Sequence, residues 1–466
     1  MNNNKNTQTH KGSRYKVTLA RKLAYKVLHE IRLRSVYLEQ AWKTCSKHVS
    51  LPSPELGFAR LLATTVVSHR GSLNILIDKI LRNPSDIQND VRDALSISFA
   101  ELFYLDKPNH VVVNEGVELV RSVSPKAVGL ANFVLRRATE AKPDFPFGDP
   151  KNDPKAASLL FGFPQWLAEK LINEFGFEEA CRFMKNSNSP APLFFIINQA
   201  NANGPQTLKG LVNQGIKLAP ISRIQQNKQG LSCFVFSQRN EIGQTYVEDL
   251  LKKGTLVISD GAAQLASSLA VPQTYPHSFL EIGAGRGTKT ILLQNIALSR
   301  FGKQMHIDTL DVDQGRTKER HNRLKQAGIL QSESFLQDAT SLSNFASDYY
   351  DSIFIDAPCS GLGTLRRHAD IRWRVSEKHI NNFASTGLTI LKEASRLVKP
   401  GGSITYATCT VFSKENEQVI KDFLASQEGI DFSCSHIELI SDLFSDSLNS
   451  PAFDSHFICM LTKNDA

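Results

Sequence analysis

From about Gly254 onward, apolar runs of four to six residues alternate with stretches of helical periodicity. That alternation constrains the fold more than any other feature. Short strands that are apolar throughout need both faces covered, and helices between successive strands supply the cover, so the expected architecture is a parallel sheet with helices on each side. The strands read from the sequence are TLVI (255–258), SFLEIG (278–283), HIDTLDVD (306–313), SIFIDA (352–357) and SITYAT (403–408). Ligands in open sheets of this kind bind beyond the carboxyl ends of the strands, so the residues directly after each run carry the chemistry.

The remainder of the chain has a different texture. Between Tyr15 and Lys142 apolar residues recur at three and four spacing, as in LAYKVLHEIRL (23–33) and LNILIDKIL (73–81), and prolines fall between these runs, which predicts an all-helical domain. PDFPFGDPKNDPK (143–155) reads as a linker. FPQWLAEKLINEFG (163–176) predicts a connecting helix, and LFFIIN, TLKGLVNQ, IKLAPI and LSCFVF predict a small β-α-β-β unit. The expected division is therefore a polar basic tail (1–14), a helical domain (15–142), a linker (143–157), a connecting helix with a small α/β domain (158–253) and an α/β domain (254–466). With 466 residues each part can bury its own core.

Lys and Arg number 54 against 46 Asp and Glu, a formal charge of +8 that suits a polyanionic partner. The seven cysteines show no CxxC and no metal-type spacing, which points to free thiols, no metal and a reducing compartment. The first residues hold no apolar run, and no stretch approaches the roughly 18 apolar residues of a spanning helix. A cytoplasmic protein without a membrane partner is the expectation.

Three features follow the predicted strands. FLEIGAGRGTKTILLQ (279–294) sets Gly283, Gly285 and Gly287 between a strand and a helix, where the backbone can approach a ligand and the helix start offers free N–H groups. The next strand ends in LDVD, placing Asp311 or Asp313 where a carboxylate can accept from ribose hydroxyls, 24 residues beyond Gly287. An adenosine-containing cofactor fits this pattern, nicotinamide and S-adenosylmethionine alike. Cys359 and Cys409 each follow a strand on that same sheet edge, so they should lie close together although 50 residues separate them. A lone cysteine is usually a small buried hydrophobe, and Cys45, Cys181, Cys233, Cys434 and Cys459 keep that reading. The polar, turn-forming surroundings of Cys359 and Cys409 argue against it for this pair.

DAPCSGLGTLRRHADIRW (356–373) and YATCTVFSKENE (406–417) resemble the signature motifs of the RNA cytosine-5 methyltransferases of the Fmu/Sun/NOL family. NHVVVNEGVELV (109–120) and GLANFVLRR (129–137) are similar to the NusB-type domain carried by one branch, which acts on small-subunit ribosomal RNA. The resemblance implies a multidomain protein: an all-α NusB-like RNA-binding domain, a small RRM-like α/β domain and a Rossmann-like class I methyltransferase domain. It implies Cys409 as nucleophile, Cys359 as the thiol that assists release, and Asp356 as the partner of the base. It also implies S-adenosylmethionine as cofactor, held by Gly283, Ala284, Gly285, Arg286, Gly287, Thr288 and Lys289, with Asp311 for the ribose, Asp338 near the adenine, and Asp356 between cofactor and base.

Arg366, Arg367, Arg372 and Trp373 combine phosphate partners with a stacking surface and are expected to contact RNA. The chain departs from the family in two places. GAGRGTK stands where the family has an Ala-Ala-Pro-Gly-Gly-Lys run, and Ser455 and His456 stand where it has a glycine and an aromatic. His456 is given no role and is expected to be structural or exposed. The expected activity is methylation of C5 of a cytosine in small-subunit ribosomal RNA by a monomer, through a covalent bond from Cys409 to C6. Two other readings remain: a nicotinamide oxidoreductase, and a non-catalytic NusB-like RNA-binding or assembly factor with an inactive methyltransferase domain.

Overall fold

The computed structural model describes residues 17–221, 233–236, 241, 243–446, 448 and 451–465. The expected tail (1–14) and the start of LSCFVF lie outside the described residues. Two compact units result: residues up to Met184 together with His368–Trp373, and Lys185–Arg367 together with Arg374–Ala466.

In the first unit, seven helices (Leu19–Arg34, Leu38–Ser46, Ser53–Ser68, Arg70–Ile80, Asn89–Phe103, Asn109–Val123 and Val128–Ala141) surround one apolar core. The helix Asn89–Phe103 is its axis, because Leu95 through Leu102 are all buried, which only a helix packed on every side allows. Glu101 within that run is neutralised by Arg21, which donates from Nε at 2.9 Å and from Nη2 at 2.6 Å. Such a two-pronged pair satisfies a charge that burial would otherwise make costly.

The expected linker is not a free connector. Phe145 packs on Phe103 and Tyr104 with ring centroids 5.2 and 5.5 Å away, and the Lys79 ammonium lies 3.9 Å from the centre of the Phe147 ring. A helix then starts at Pro154, capped by the Asp153 carboxylate, which accepts from the Lys155 N–H at 2.8 Å. Helices Pro154–Phe161 and Gln165–Phe175 belong to the same unit. Two phenylalanines among the prolines outweigh the breaker signal, since each buries a large apolar area on the helical core.

The second unit contains two sheets. The smaller is antiparallel, in the order β2 (Leu218–Pro220), β3 (Cys233–Phe236), β1 (Phe194–Ile197), β4 (Leu256–Ile258), and the helices Gly204–Asn213 and Thr245–Lys252 belong to it. The strand β4 is the TLVI run expected in the larger sheet. It instead pairs antiparallel with β1, with Phe195 opposite Ile258. An apolar run of this length announces a buried strand without naming its neighbour.

The larger sheet comprises β5 (Phe279–Ile282), β6 (Ile307–Asp311), β7 (Ser334–Leu336), β8 (Tyr350–Asp356), β9 (Val398–Thr408), β10 (Phe432–Ile440) and β11 (His456–Lys463), in the order β10-β11-β9-β8-β5-β6-β7. Strands β5 to β9 are parallel, and β11 runs antiparallel to both its neighbours. Alternate residues face opposite cores: Phe279 and Phe354 join Ile291 and Leu292 on one side, while Leu280 and Ile353 join Leu391 and Phe423 on the other. From β5 the chain steps outward through β6 and β7, then returns to place β8 on the other flank. This reversal leaves a crevice beyond the carboxyl ends of β5 and β8, the place where doubly wound sheets bind ligands.

Candidate active site

Beyond β5 the chain makes a tight turn in which Gly283, Gly285 and Gly287 have φ of +80°, +52° and +77°. Two of these positions also lack space. A Cβ at Gly283 would sit 2.4 Å from the Asp356 carbonyl oxygen, and one at Gly287 would meet Arg320 Cγ at 2.9 Å. Asp311, at the end of β6, braces the turn: one carboxylate oxygen accepts from the Gly285 N–H at 2.7 Å and the other from the Asp313 N–H at 2.8 Å. Asp313 is committed elsewhere, since it caps the helix Gln314–Ala327, and the Arg316 N–H holds its carboxyl below the usual range. Of the two acids left open by the sequence, Asp311 is the one that meets the turn.

Ala284 is buried within the turn, whereas Arg286 points outward and pairs with Glu319 at 2.8 Å. The Thr288 hydroxyl accepts from Arg323 at 2.7 Å. Asp338 lies past β7 at the surface, where the Thr340 N–H and hydroxyl hold its carboxyl below its ordinary range.

Beneath the turn lies an acid that the sequence reading missed. Glu281 is fully buried on β5; its Oε2 accepts from the Thr290 hydroxyl at 2.6 Å and its Oε1 has no partner. Burial pushes this carboxyl up to about 7, against the stabilising hydrogen bond from Thr290. Its position two residues before the first glycine was the available signal. A glycine turn closed to a Cβ at Gly283 and Gly287, a braced strand-end carboxylate and an orphaned acceptor below them suit a ligand bearing a ribose and a cationic or N–H-rich group. They fit S-adenosylmethionine.

Lys289, in the first turn of the helix Thr288–Phe301, points its ammonium at Asp356, 2.5 Å from Oδ2. Burial works against this ammonium, but the Asp356 carboxylate and, after it, the neighbouring sulfurs outweigh it and raise its pKa. Three residues beyond Asp356 stands Cys359, whose Sγ is 3.4 Å from Cys409 Sγ and accepts from the Cys409 N–H at 3.3 Å. The expected meeting of the two thiols is therefore found. They do not titrate alike. The hydrogen bond between them and burial raise Cys359 well above the ordinary thiol value, whereas Cys409 is lowered by that same hydrogen bond and, against burial, by the Lys289 ammonium. Ionisation of the pair is thus favoured at Cys409 over Cys359.

The arginine run departs from expectation. Arg366 is buried against Asp454 at 2.5 Å and donates to the Ala452 carbonyl at 2.8 Å. Arg367 bridges Asp454 and Asp260, each at 2.8 Å. Arg372 is 0 % exposed, stacked 4.2 Å from the Phe163 ring centre, and donates to the Gly162 carbonyl at 3.2 Å. Trp373 donates from Nε1 to the Val67 carbonyl at 2.8 Å. These four side chains serve as internal ties, each bonded to another part of the protein. His456 is likewise buried at the start of β11, where burial and then the Lys289 charge push its imidazole well below its ordinary value.

Comparison with known proteins converges on the same reading. Residues 269–443 match the 16S rRNA methyltransferase RsmB/F family, residues 18–140 the NusB family, and residues 163–227 the ferredoxin-like domain of RsmF/B-like methyltransferases. The chain is 27% identical over 428 residues to a probable ribosomal RNA small subunit methyltransferase B of Synechocystis, covering 88% of this chain and 90% of the relative. It is 24% identical to the probable counterpart of Bacillus subtilis, covering 90% of each. The fold is shared with the crystal structure of PH0851 (TM-score 0.72, 21% identity, 96% of this chain and 100% of that one). It is also shared with NSun6 from Pyrococcus horikoshii, solved with the S-adenosylmethionine analogue SFG (TM-score 0.54, 16% identity, 66% of this chain and 100% of that one).

The larger sheet with its glycine turn thus has the fold of a class I methyltransferase, and the methyltransferase family match supports S-adenosylmethionine as the cofactor. In the order of its matched segments, NusB, ferredoxin-like and methyltransferase, the chain is similar to the RsmB/F methyltransferases. Among the described residues no helix is long and apolar enough to cross a membrane.

Proposed function

We propose that this protein methylates C5 of a cytosine in small-subunit ribosomal RNA, acting as a monomer in the cytoplasm, with Cys409 as nucleophile and Cys359 as its helper. One observation carries the reading: two thiols 3.4 Å apart at the switch-point edge of the sheet, one inclined to the thiolate and the other to the thiol.

Cytosine C5 is a poor nucleophile while the ring is aromatic. Attack of the Cys409 thiolate on C6 forms an S–C bond and pushes the C5–C6 π pair onto C5, making that carbon enamine-like. Electron density also builds toward N3 and the exocyclic amine, where Asp356 and its Lys289 partner stand to meet it with preorganised charge and hydrogen bonds. Bound S-adenosylmethionine supplies the electrophilic methyl carbon.

Carbon C5 then carries both the methyl group and its original proton, and the S–C6 bond cannot break until that proton leaves. Cys359 no longer has a thiolate partner to donate to. After losing its proton to solvent, it is the base within reach of C5. The C5–H pair re-forms the double bond, and Cys409 departs as the thiolate that Lys289 favours.

RNA transcribed with 5-fluorocytidine tests this reading, because fluorine at C5 cannot leave as a proton and the enzyme is trapped on the base. Wild-type protein with S-adenosylmethionine should yield a Cys409-linked peptide by mass spectrometry. Cys409→Ala should yield none. On ordinary RNA, Cys359→Ala should accumulate a covalent complex seen as a shifted gel band. An adduct that survives in Cys409→Ala and vanishes in Cys359→Ala would reverse the two roles.

A further inference from the structure

Each reacting sulfur is followed in the chain by a hydroxyl residue, Ser360 after Cys359 and Thr410 after Cys409. Both hydroxyls are buried, lie 2.7 Å apart and meet a single carboxylate. Glu415 Oε1 accepts from the Ser360 N–H at 2.7 Å, and Oε2 accepts from the Ser360 hydroxyl at 2.7 Å and the Thr410 hydroxyl at 3.2 Å. Glu415 is 1% exposed and belongs to the short 3-10 turn Ser413–Glu415 that folds back under the Cys409 loop. The Tyr406 hydroxyl donates to its carbonyl at 3.1 Å. The next residue, Asn416, accepts from the Thr408 hydroxyl at 2.6 Å and donates to the Thr410 carbonyl at 3.3 Å. A carboxylate in a dry site with three donors is held firmly, and these donors come from the two loops that carry the sulfurs.

We propose that Glu415 is the positioning residue of the thiol pair: it ties the loop after β8 to the loop after β9, and its fixed negative charge keeps the pair from losing a second proton. The proposal rests on the reading of Cys409 and Cys359 as the reacting groups. The charged groups facing the sulfurs are the Lys289 ammonium and the carboxylates of Asp356 and Glu415, with the neutral Tyr406 phenol and His456 imidazole nearby. Lys289 favours the first thiolate. The high Cys359 value arises mainly from its hydrogen bond with Cys409 and from burial, and the Glu415 charge adds to both. A helper thiol that stays protonated until Cys409 is bonded to carbon keeps the resting pair in one protonation state.

Glutamine and alanine at this position separate the two effects. Glutamine keeps an oxygen for the Ser360 N–H and removes the charge, whereas alanine removes both. Full-length wild type, Glu415→Gln and Glu415→Ala are compared in two assays: iodoacetamide alkylation of each cysteine against pH, resolved by peptide mass spectrometry, and the rate of adduct formation on small-subunit ribosomal RNA transcribed with 5-fluorocytidine. Glu415→Ala should slow the adduct about 100-fold, the scale of an ångström-sized misplacement. Glu415→Gln should retain more of the rate while the onset of Cys359 alkylation moves to lower pH. If Glu415→Ala fails to fold, Glu415→Gln and Glu415→Asp carry the comparison.

A purely structural glutamate would lower stability and leave the alkylation profile in place, and that result overturns the proposal. So do adduct rates within about twofold of wild type in the variants. Absence of an adduct in the wild type itself refutes the thiol reading, and this proposal with it.

Discussion

Replacing Gly283 by alanine tests the glycine turn, with Gly285→Ala as its internal control. Both residues have positive φ, so each substitution incurs the left-handed penalty of about 1–2 kcal/mol. Only Gly283 also lacks room. Its new Cβ would lie 2.4 Å from the Asp356 carbonyl oxygen, so a shift of 0.6 Å is needed to reach the 3.0 Å floor of real contacts and 1.0 Å to reach an ordinary 3.4 Å; the nearest atom to a Cβ at Gly285 is 3.9 Å away. Backbone cannot swing aside as a side chain can, and overpacking of this kind costs about 1–3 kcal/mol more. Gly283→Ala should therefore destabilise the catalytic sheet by about 2–5 kcal/mol, against about 1–2 for Gly285→Ala. Hydrogen-exchange mass spectrometry on peptides spanning β5 and β8 reads the difference, at about tenfold in protection per 1.4 kcal/mol. The carbonyl that must move belongs to Asp356, so adduct formation in Gly283→Ala should also fall about 100-fold. Equal protection in the two variants, or a neutral Gly283→Ala, would refute the argument that the turn is closed to a Cβ by the end of β8.

Lys289→Met removes the cation that stabilises the Cys409 thiolate, so the thiol value rises. At neutral pH the adduct rate should drop about tenfold per unit of that rise and recover as pH is increased, with the wild-type rate levelling off at a lower pH than the variant's. Arg372→Ala should destabilise the helical unit by about 2–3 kcal/mol through lost stacking and hydrogen bonds while leaving the salt dependence of RNA binding unchanged, as titrations at several salt concentrations would show. A flatter salt slope would return Arg372 to the phosphate contacts.

The strand-end thiols were legible because their surroundings contradict burial. Asp356, Pro358 and Ser360 around one, and Thr408 and Thr410 around the other, mark turns beyond apolar strands, and the sheet brings such turns to one edge. The arginines misled because a sequence displays charge without displaying partners. Asp454 lies 88 residues from Arg366, and Asp260 lies 107 from Arg367. The linker reading failed by weighting prolines over Phe145 and Phe147, and TLVI was placed in the wrong sheet because pairing partners are not written in an apolar run. Glu415 and Glu281 escaped for another reason: buried acids look like solvated ones until their neighbours are known.

Strand register, more than either loop, fixes the reacting distance. In the parallel pair of β8 and β9, Asp356 stands opposite Ala407, so Cys359 and Cys409 leave the sheet three and two residues past matched positions. One residue of slip would move a strand end by about 3.3 Å, as large as the 3.4 Å between the sulfurs, and would turn its side chains to the opposite face. That register is set deep in the core by pairs such as Ile353 with Ile404 and Ile355 with Tyr406. The Tyr406 hydroxyl in turn holds the Glu415 carbonyl, whose side chain spans both loops. The apolar pattern that first announced a parallel sheet is thus also what sets the distance between nucleophile and helper.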